Sequence, residues 1–559
     1  MVAWTGVCLL VLVAPFEALR PLVRLPGQSL TIVELALLTV LAAWFGAAVL
    51  FRQRPPLRTP LTLPWVAVLV TSAVAAAVAP ADRMNAFHMV ARFGLAFGVF
   101  LVTVSGVSTP ERLRRVVISG AVVGVAISVL VVLEFLGNGI VLRMLRVFRP
   151  GIAVVGSQVR AAGPFQYPTI ASMYLEILFA FTLGLLPDAV IEKRWGLAAG
   201  VMAVLGLVAE GIVLTFTRAG LLTMAATVLV VGLFRYRRGG FDRATWSVAL
   251  VGLIVAVEIV SSRSAEMLRA RMLTESQDEW YQAEIDAPLA VSLKTGAVTS
   301  VPIHVTNNGL VTWDPAAEHP FRFSYHLLRE DGVRVAEWEG MRTLFPSAVT
   351  PGESVRLPVS VRAPGEPGRY RLLWDIEQQD RLWFSGEPQS VLVETAASVE
   401  GPLVSTLPIS QIQFIPPQKA RPGRAVLWRA ALRMFAAHPF TGVGPDNFRL
   451  EYGSYAGIAN ADTRVHSNNM YLEMMAGTGM FGGLAFLWLA WRASRRIFEL
   501  WRSATETLGA GVAAAAVAIA AHGMVDAFLG FSATYILMAI TLGLTVASRS
   551  MEEAHAHRV

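Results

Sequence analysis

The sequence predicts a polytopic α-helical membrane protein of about twelve transmembrane helices, with an all-β sandwich inserted into one large loop. Three observations predict it. The 559 residues are 54% hydrophobic and only 16% charged, with a mean hydropathy of +0.54; a soluble chain of this length would need far more charge to cover its surface. The apolar residues gather into segments of roughly twenty residues, the length that crosses a hydrocarbon core. Between two of these segments the pattern changes to short alternating runs such as Val301-Pro-Ile-His-Val305, Phe321-Arg-Phe-Ser-Tyr325 and Val355-Arg-Leu-Pro-Val359. Turn residues at Asn307-Asn-Gly309, Pro351-Gly352 and Pro367-Gly368 separate them, as in a β-sandwich.

In chain order the spans fall at about residues 2–19, 30–51, 63–79, 87–105, 116–136, 170–186, 196–214, 219–234, 246–260, 480–491, 508–522 and 528–546. The first has neither a basic leader nor a small-residue cleavage site, so it is read as a retained span rather than a signal peptide. Residues 140–147 place Arg143 and Arg146 among aliphatic residues and read as a short amphipathic surface piece. The single cysteine, Cys8, excludes an intramolecular disulfide.

Charge orients these spans. The basic clusters follow the even-numbered ones: Arg52, Arg54 and Arg58; Arg112, Arg114 and Arg115; Lys193 and Arg194; Arg235, Arg237, Arg238 and Arg243; Arg492, Arg495, Arg496 and Arg502. One orientation satisfies them all, with both termini cytoplasmic and the β module outside. The same loops absorb most of the net charge of +7, so no nucleic-acid partner is expected. Two short outward connections break the rule, one with Arg20 and Arg24, the other with Arg143, Arg146, Arg149 and Arg160. Arginines on the wrong side of a membrane point to an anionic ligand there.

The expected organisation is 1–262 for the first membrane helices, 263–286 as linker, 287–395 as an immunoglobulin-like β-sandwich, 396–476 as the rest of the outer loop, and 477–559 as the last helices with a short tail. Within the module, Tyr370 in Pro367-Gly-Arg-Tyr370 resembles a tyrosine corner. Trp313, Trp338, Trp374 and Trp383 are expected chiefly in its core, with sugar stacking as the other use. His555 and His557 read as a solvated tail. Inside the spans, Glu34, Arg92, Glu134, Glu176, Glu210 and Glu258 all fall in the outward halves. Singly each could pair with an arginine or sit at a helix end; together they suggest a polar cavity open to the outside. Arg92, with His88 one turn away, is the clearest.

Three outward segments carry motifs: Arg160-Ala-Ala-Gly163-Pro-Phe165-Gln-Tyr-Pro168; Thr215-Phe-Thr217-Arg218-Ala-Gly220; and a long stretch with His438, Gly442-Val-Gly444-Pro-Asp-Asn447, His466-Ser-Asn468-Asn469-Met-Tyr471-Leu472, Gly479 and Gly482. Their order and spacing resemble the O-antigen ligase and Wzy-type polymerase family, from about the fifth span onward and excluding the β module. The resemblance implies a glycosyltransferase-C-like membrane fold. It also implies transfer of a glycan from an undecaprenyl-diphosphate carrier to an acceptor sugar on the outer face of a bacterial inner membrane, in O-antigen or exopolysaccharide assembly. No cofactor and no metal is expected. By the same resemblance Arg160 and Arg218 would hold the diphosphate, since guanidinium groups donate bidentately to phosphate. His466 would orient or deprotonate the acceptor hydroxyl, and Arg92, Asn468 and Asp526 would complete the substrate site.

The chain departs from the family pattern in three places. Asn468 stands where a histidine is common, Gly477 where a glutamate is usual, and Thr169 where an asparagine often follows the first motif. Gly442 and Gly444 are expected to serve turn geometry before ligand contact. Ligase and polymerase both remain open, as do the glycan, the acceptor and the oligomeric state. A transporter or flippase of lipid-linked saccharides is the alternative, although no repeat of the transporter kind is seen. A scaffold recruiting partners through the β module is a third reading.

Overall fold

The structure, a computed structural model, describes residues 2–556 except 26–27, 53–55, 156–157, 262–264, 275–278, 318, 332–334, 338, 380–381, 387–392, 405–421, 459–460 and 504–506. Trp338, Arg54, His557 and most of the 401–423 connection therefore lie outside the described residues, as do the side chains of Arg24 and His555. The chain divides into two compact units. One is Met1–Ala153 with Val159–Ser262 and Lys419–Val559; the other is Val154–Gln158 with Arg263–Gln418.

The first unit is helical. Its helices are α1 (Val2–Val13), α2 (Ile32–Leu50), α3 (Thr62–Ala77), α4 (Arg83–Gly106), α5 (Pro110–Phe135), α6 (Gly139–Leu145), α7 (Pro168–Ile191), α8 (Trp195–Val213), α9 (Arg218–Gly239) and α10 (Arg243–Ser261). After α11 (Ala265–Leu273), which belongs to the second unit, come α12 (Arg424–Ala437), α13 (Phe448–Ala456), α14 (Met470–Ser503), α15 (Thr507–His522) and α16 (Ser532–Ala556). Among the described residues nine of them (α2, α4, α5, α7 to α10, α14 and α16) are long and apolar enough to cross a membrane, and α1, α3 and α15 are shorter apolar helices. Together these take the positions of the expected spans, so this is a multi-pass membrane protein.

Local chemistry sets the helix starts. Thr109 accepts a bond from the Arg112 N–H at the head of α5, and Pro110 fills a first-turn position that needs no donor. Thr31 and Glu34 form a reciprocal capping box on α2. Glu34 is thus a terminal cap, not a charge within the span as the sequence pattern suggested. At the centre lies α7, buried along almost its whole length. Its closest neighbour is the alanine-rich α15, against which Gly184 and Gly511 let the backbones meet: a Cβ on Gly184 would stand 3.1 Å from the Gly511 Cα. Small residues at a helix crossing allow this approach where bulkier ones would hold the helices apart.

Two short hairpins, β1 (Val23–Leu25) with β2 (Gln28–Leu30) and β3 (Ala153–Val155) with β4 (Gln158–Arg160), decorate the connections. The second unit holds the remaining strands: β5 (Ala283–Asp286), β6 (Ala290–Lys294), β7 (Val298–Asn307), β8 (Phe321–Arg329), β9 (Val335–Glu337), β10 (Thr343–Leu344), β11 (Ser354–Arg362), β12 (Gly368–Gln378), β13 (Leu382–Trp383) and β14 (Val393–Glu400). One sheet runs β10-β8-β12-β14-β6 with β9 and β13 at its side, and the other β11-β7-β5. Among the described residues the pairings are antiparallel except β14 with β6. Inward residues alternate along β7, β11 and β14, as the period of two requires. Trp313 and Trp374 are fully buried, with the Trp374 indole N–H donating to Thr395 Oγ1 (2.7 Å). Trp383 is only half-buried, against His326. The Tyr370 hydroxyl donates to the Glu366 carbonyl four residues upstream (3.0 Å).

Candidate active site

The third motif is built on a broken helix. Gly479 has φ 63° and ψ −162°, which interrupts α14 between a short first part and the long part that begins at Met480. Residues 470–476, expected within the outer loop, are therefore helical. The break exposes main-chain groups, and the Gly442-Val-Gly444 loop takes them. Val443 N–H donates to Ala476 O (3.0 Å), Gly444 N–H to Gly477 O (2.9 Å), and Met480 N–H to Pro439 O (2.7 Å). Gly442 and Gly444 have φ 67° and 100°, and a Cβ on Gly442 would run into the Ala476 carbonyl. These glycines form a backbone clasp, the structural use expected for Gly442 and Gly444.

The clasp delivers Asp446, itself left-handed at φ 64°. Asn447, fully buried, fixes the turn by donating to Val443 O (2.9 Å) and Asp82 O (3.2 Å) and accepting from Asn85 (3.0 Å). Arg449 holds Asp446 through Oδ2 (3.0 Å from Nε), while Oδ1 and the His466 ring both lie beside Gly530. His466 gives Nδ1 to Glu473 on the first part of α14 (2.6 Å), and Glu473 also accepts from the Ser467 N–H and hydroxyl (2.9 Å each). Burial alone would pull the His466 pKa down, but the Glu473 carboxylate, with Asp446 beyond it, outweighs that and pushes it up to about 9. The shift favours the protonated ring, a form that can donate from Nε2. Asp446, Glu473 and Thr478 line a cavity whose other walls are Met89, Phe93, Pro445, Met470, Met474 and Ala527–Gly530. Asp446, His466 and Glu473 also offer ligand atoms within 4.8 Å of one another. Arg449 and the His466–Glu473 bond already occupy that set, so it reads as a hydrogen-bond network rather than a cation site.

The neighbouring motif residues are mostly scaffold. Asn469 caps the first part of α14 by accepting from Tyr471 and Leu472 N–H (3.0 and 2.9 Å) and donates to Met524 O (2.9 Å). Tyr471 donates to Ala520 O (3.1 Å). Asn468 is the half-buried bend just before Asn469, at φ 53°.

A second cluster gathers at the heads of α7 and α9. Arg160 donates from Nε to Thr215 O (2.9 Å) and from Nη2 to Thr217 Oγ1 (3.3 Å), which joins the first motif to the second. Arg218 opens α9, half-buried. Gly220, two residues on, lies against α7: a Cβ there would collide with Ser172 Oγ and stand 3.0 Å from Glu176 Oε1. Glu176 holds His522 through Nδ1 (3.0 Å), and Asp526 lies 3.7 Å from Nε2 of the same ring. Phe531 bridges toward the first cluster, with Tyr167 at 5.7 Å on one side and His466 at 6.1 Å on the other.

The other intramembrane charges have partners of their own. Glu134 is fully buried, paired with Arg149, and accepts the N–H groups of Ala162 and Gly163 (3.1 and 2.8 Å), so it pins the segment after Arg160. Glu210 and Glu258 face each other on α8 and α10. Arg92 is grouped with Glu17 and Tyr535. Sequence reasoning passed over Asp446, Arg449, Glu473 and Phe531. One signal pointed to Asp446: it sits inside the Gly-x-Gly-Pro-Asp-Asn turn. In each of the second and third motifs a non-glycine residue is left-handed, Phe216 (φ 52°) in one, Asp446 and Asn468 in the other. Such backbone costs of order 1–3 kcal/mol and tends to collect at functional sites.

Comparison with known proteins agrees with this centre. No curated protein matches the chain. Residues 405–487 match the family model described as O-Antigen ligase. That stretch contains the clasp, Asp446, His466, Glu473 and the break at Gly479, so the third motif lies within a region similar to the O-antigen ligase family.

Proposed function

We propose that the protein transfers a glycan from an undecaprenyl-diphosphate carrier to an acceptor sugar at the outer face of the membrane, as a ligase or a polymerase. The observation that carries the reading is the Asp446–His466–Glu473 set beside a cavity, inside the O-antigen ligase domain. In this reading Arg160 and Arg218 receive the diphosphate, with Asp526 and Asn468 shaping the same pocket and Arg92 adding positive charge at its edge. His466 donates from Nε2 to the leaving phosphate oxygen, held in place by Glu473. The acceptor hydroxyl attacks the anomeric carbon, its proton passes to Asp446 Oδ1, and the carbon–oxygen bond to phosphate breaks with the electron pair leaving on the diphosphate. Positioning and charge stabilisation carry such a reaction without a metal.

The test is transfer by the purified full chain in liposomes, supplied with a fluorescent undecaprenyl-diphosphate glycan and candidate acceptors. Appearance of a glycan–acceptor product with release of the carrier diphosphate is expected. Single additions would mark a ligase and ladders a polymerase. Movement of intact donor across the bilayer without a product would replace this reading with a flippase.

A further inference from the structure

The arginines at the far ends of α9 and α14 keep unusual company. Four of them lie over aromatic rings: Arg237 over Trp501 (5.0 Å), Arg238 over Phe234 (5.6 Å), Arg495 over Trp491 (5.4 Å) and Arg502 over Phe498 (5.5 Å). All four guanidinium groups are exposed. The two helix ends are tied together, with Arg238 donating to the Arg502 carbonyl and the Trp501 indole N–H to the Val230 carbonyl, both at 3.3 Å.

Among the described residues charge here is not balanced from within. The nearby carboxylates are already taken, Asp242 by Arg235 (2.7 Å) and Glu499 by Arg496 (2.8 Å). Among the described residues none pairs with Arg237, Arg238, Arg495 or Arg502. Two helix C-termini supply roughly half a negative charge each, too little for four guanidinium groups. Trp491 is 52% and Phe498 55% exposed, so apolar ring surface and cationic forks are offered side by side. A ligand matching both has an anionic, oxygen-rich head joined to an apolar body. That combination, at the end of membrane-crossing helices, is a phospholipid with a net negative headgroup.

We propose that the ends of α9 and α14 form a binding site for the headgroup of an anionic phospholipid. The arginine forks take the phosphate oxygens, and the rings beneath them hold the guanidinium planes and meet the upper acyl chain. The site stands apart from the transfer reaction and does not depend on it.

The experiment uses the delipidated full chain in detergent, titrated with phosphatidylglycerol or phosphatidylcholine and read by native mass spectrometry. An arginine near an anionic surface contributes about fivefold in affinity, so at least about a fivefold preference for phosphatidylglycerol is expected. The variant carrying Arg237→Gln, Arg238→Gln, Arg495→Gln and Arg502→Gln should lose that preference. A control with Arg58→Gln and Arg114→Gln, on other connections, should keep it. Equal retention of both lipids by the unaltered chain would overturn the proposal, and so would a preference that survives the fourfold change. Displacement of bound phosphatidylglycerol by millimolar inorganic phosphate would show that free phosphate is the ligand and overturn it as well. Gel-filtration profiles of the variants separate loss of binding from loss of fold.

Discussion

The two halves of the candidate site handle charge in opposite ways. Beside the heads of α7 and α9, charged groups are closed on one another: Glu176 grips His522, and at the end of α5 Glu134 takes Arg149 together with two backbone N–H groups. On the broken-helix side each group is held through one atom among the described residues, and Asp446 lines a cavity beside His466. His466 spends Nδ1 on Glu473, and Asp446 spends Oδ2 on Arg449. A buried pair with every atom engaged is scaffold, because its desolvation is offset only while both partners stay. A pair with a free atom facing a cavity can meet a substrate. The difference separates residues that hold the site from residues that act in it, although all are ionisable and most lie in or beside apolar helices.

The largest expected effect tests the closed side. Glu134→Ala leaves Arg149, 3% exposed, without its partner, and breaking a buried pair costs about 3–5 kcal/mol. The variant is expected to lose monodisperse protein in detergent; a well-folded, active Glu134→Ala protein would refute the scaffold assignment. Next comes Arg218→Lys. Losing a charge-assisted, bidentate phosphate contact should cost about 1.5–3 kcal/mol, which is roughly a tenfold to hundredfold fall in transfer at matched expression. Arg143→Lys, on the surface piece α6, should stay near the unaltered rate. Equal tolerance at both positions would remove Arg218 from the donor site.

A smaller effect sharpens the open side. His466 has a raised pKa, so its protonated form is present below the usual histidine range and is lost only as pH rises through about 9. Transfer that uses the imidazolium should hold through neutral pH and decline near pH 9. In Glu473→Gln that decline should move down toward about 6.5, the ordinary value. Identical alkaline limbs in both proteins would take His466 out of the donor role. The smallest effect lies in the second unit, where Tyr370→Phe removes one hydroxyl-to-carbonyl bond. Thermal unfolding should register a loss of about 0.5–1.5 kcal/mol with no change in transfer.

What was legible in the sequence follows the same division. Apolar length marked the helices, and turn residues marked the strands, because both signals are local. The motifs marked the three segments that the fold brings near one another. Partners distant in sequence were not legible: Glu176 and His522 are 346 residues apart, and only the α7–α15 packing unites them. Glu34 was misplaced because a capping glutamate and a span glutamate look alike without the Thr31 bond. Asn468 drew attention by replacing a common histidine, yet the structure gives it a bend. Glu473, one helical turn before Gly477, was passed over because a glutamate was sought at the later position.

The break at Gly479 also bears on how the protein enters its membrane. The part of α14 beginning at Met480 carries the long apolar run, whereas the short part before it carries Glu473 and ends at the clasp. An insertion machinery that reads hydrophobicity can recognise the later part alone. Residues 470–478 never need to qualify as a membrane segment, so polar substitutions there are not screened by insertion. Selection can therefore alter the chemistry around His466 and Glu473 while the topology of the last three helices stays the same.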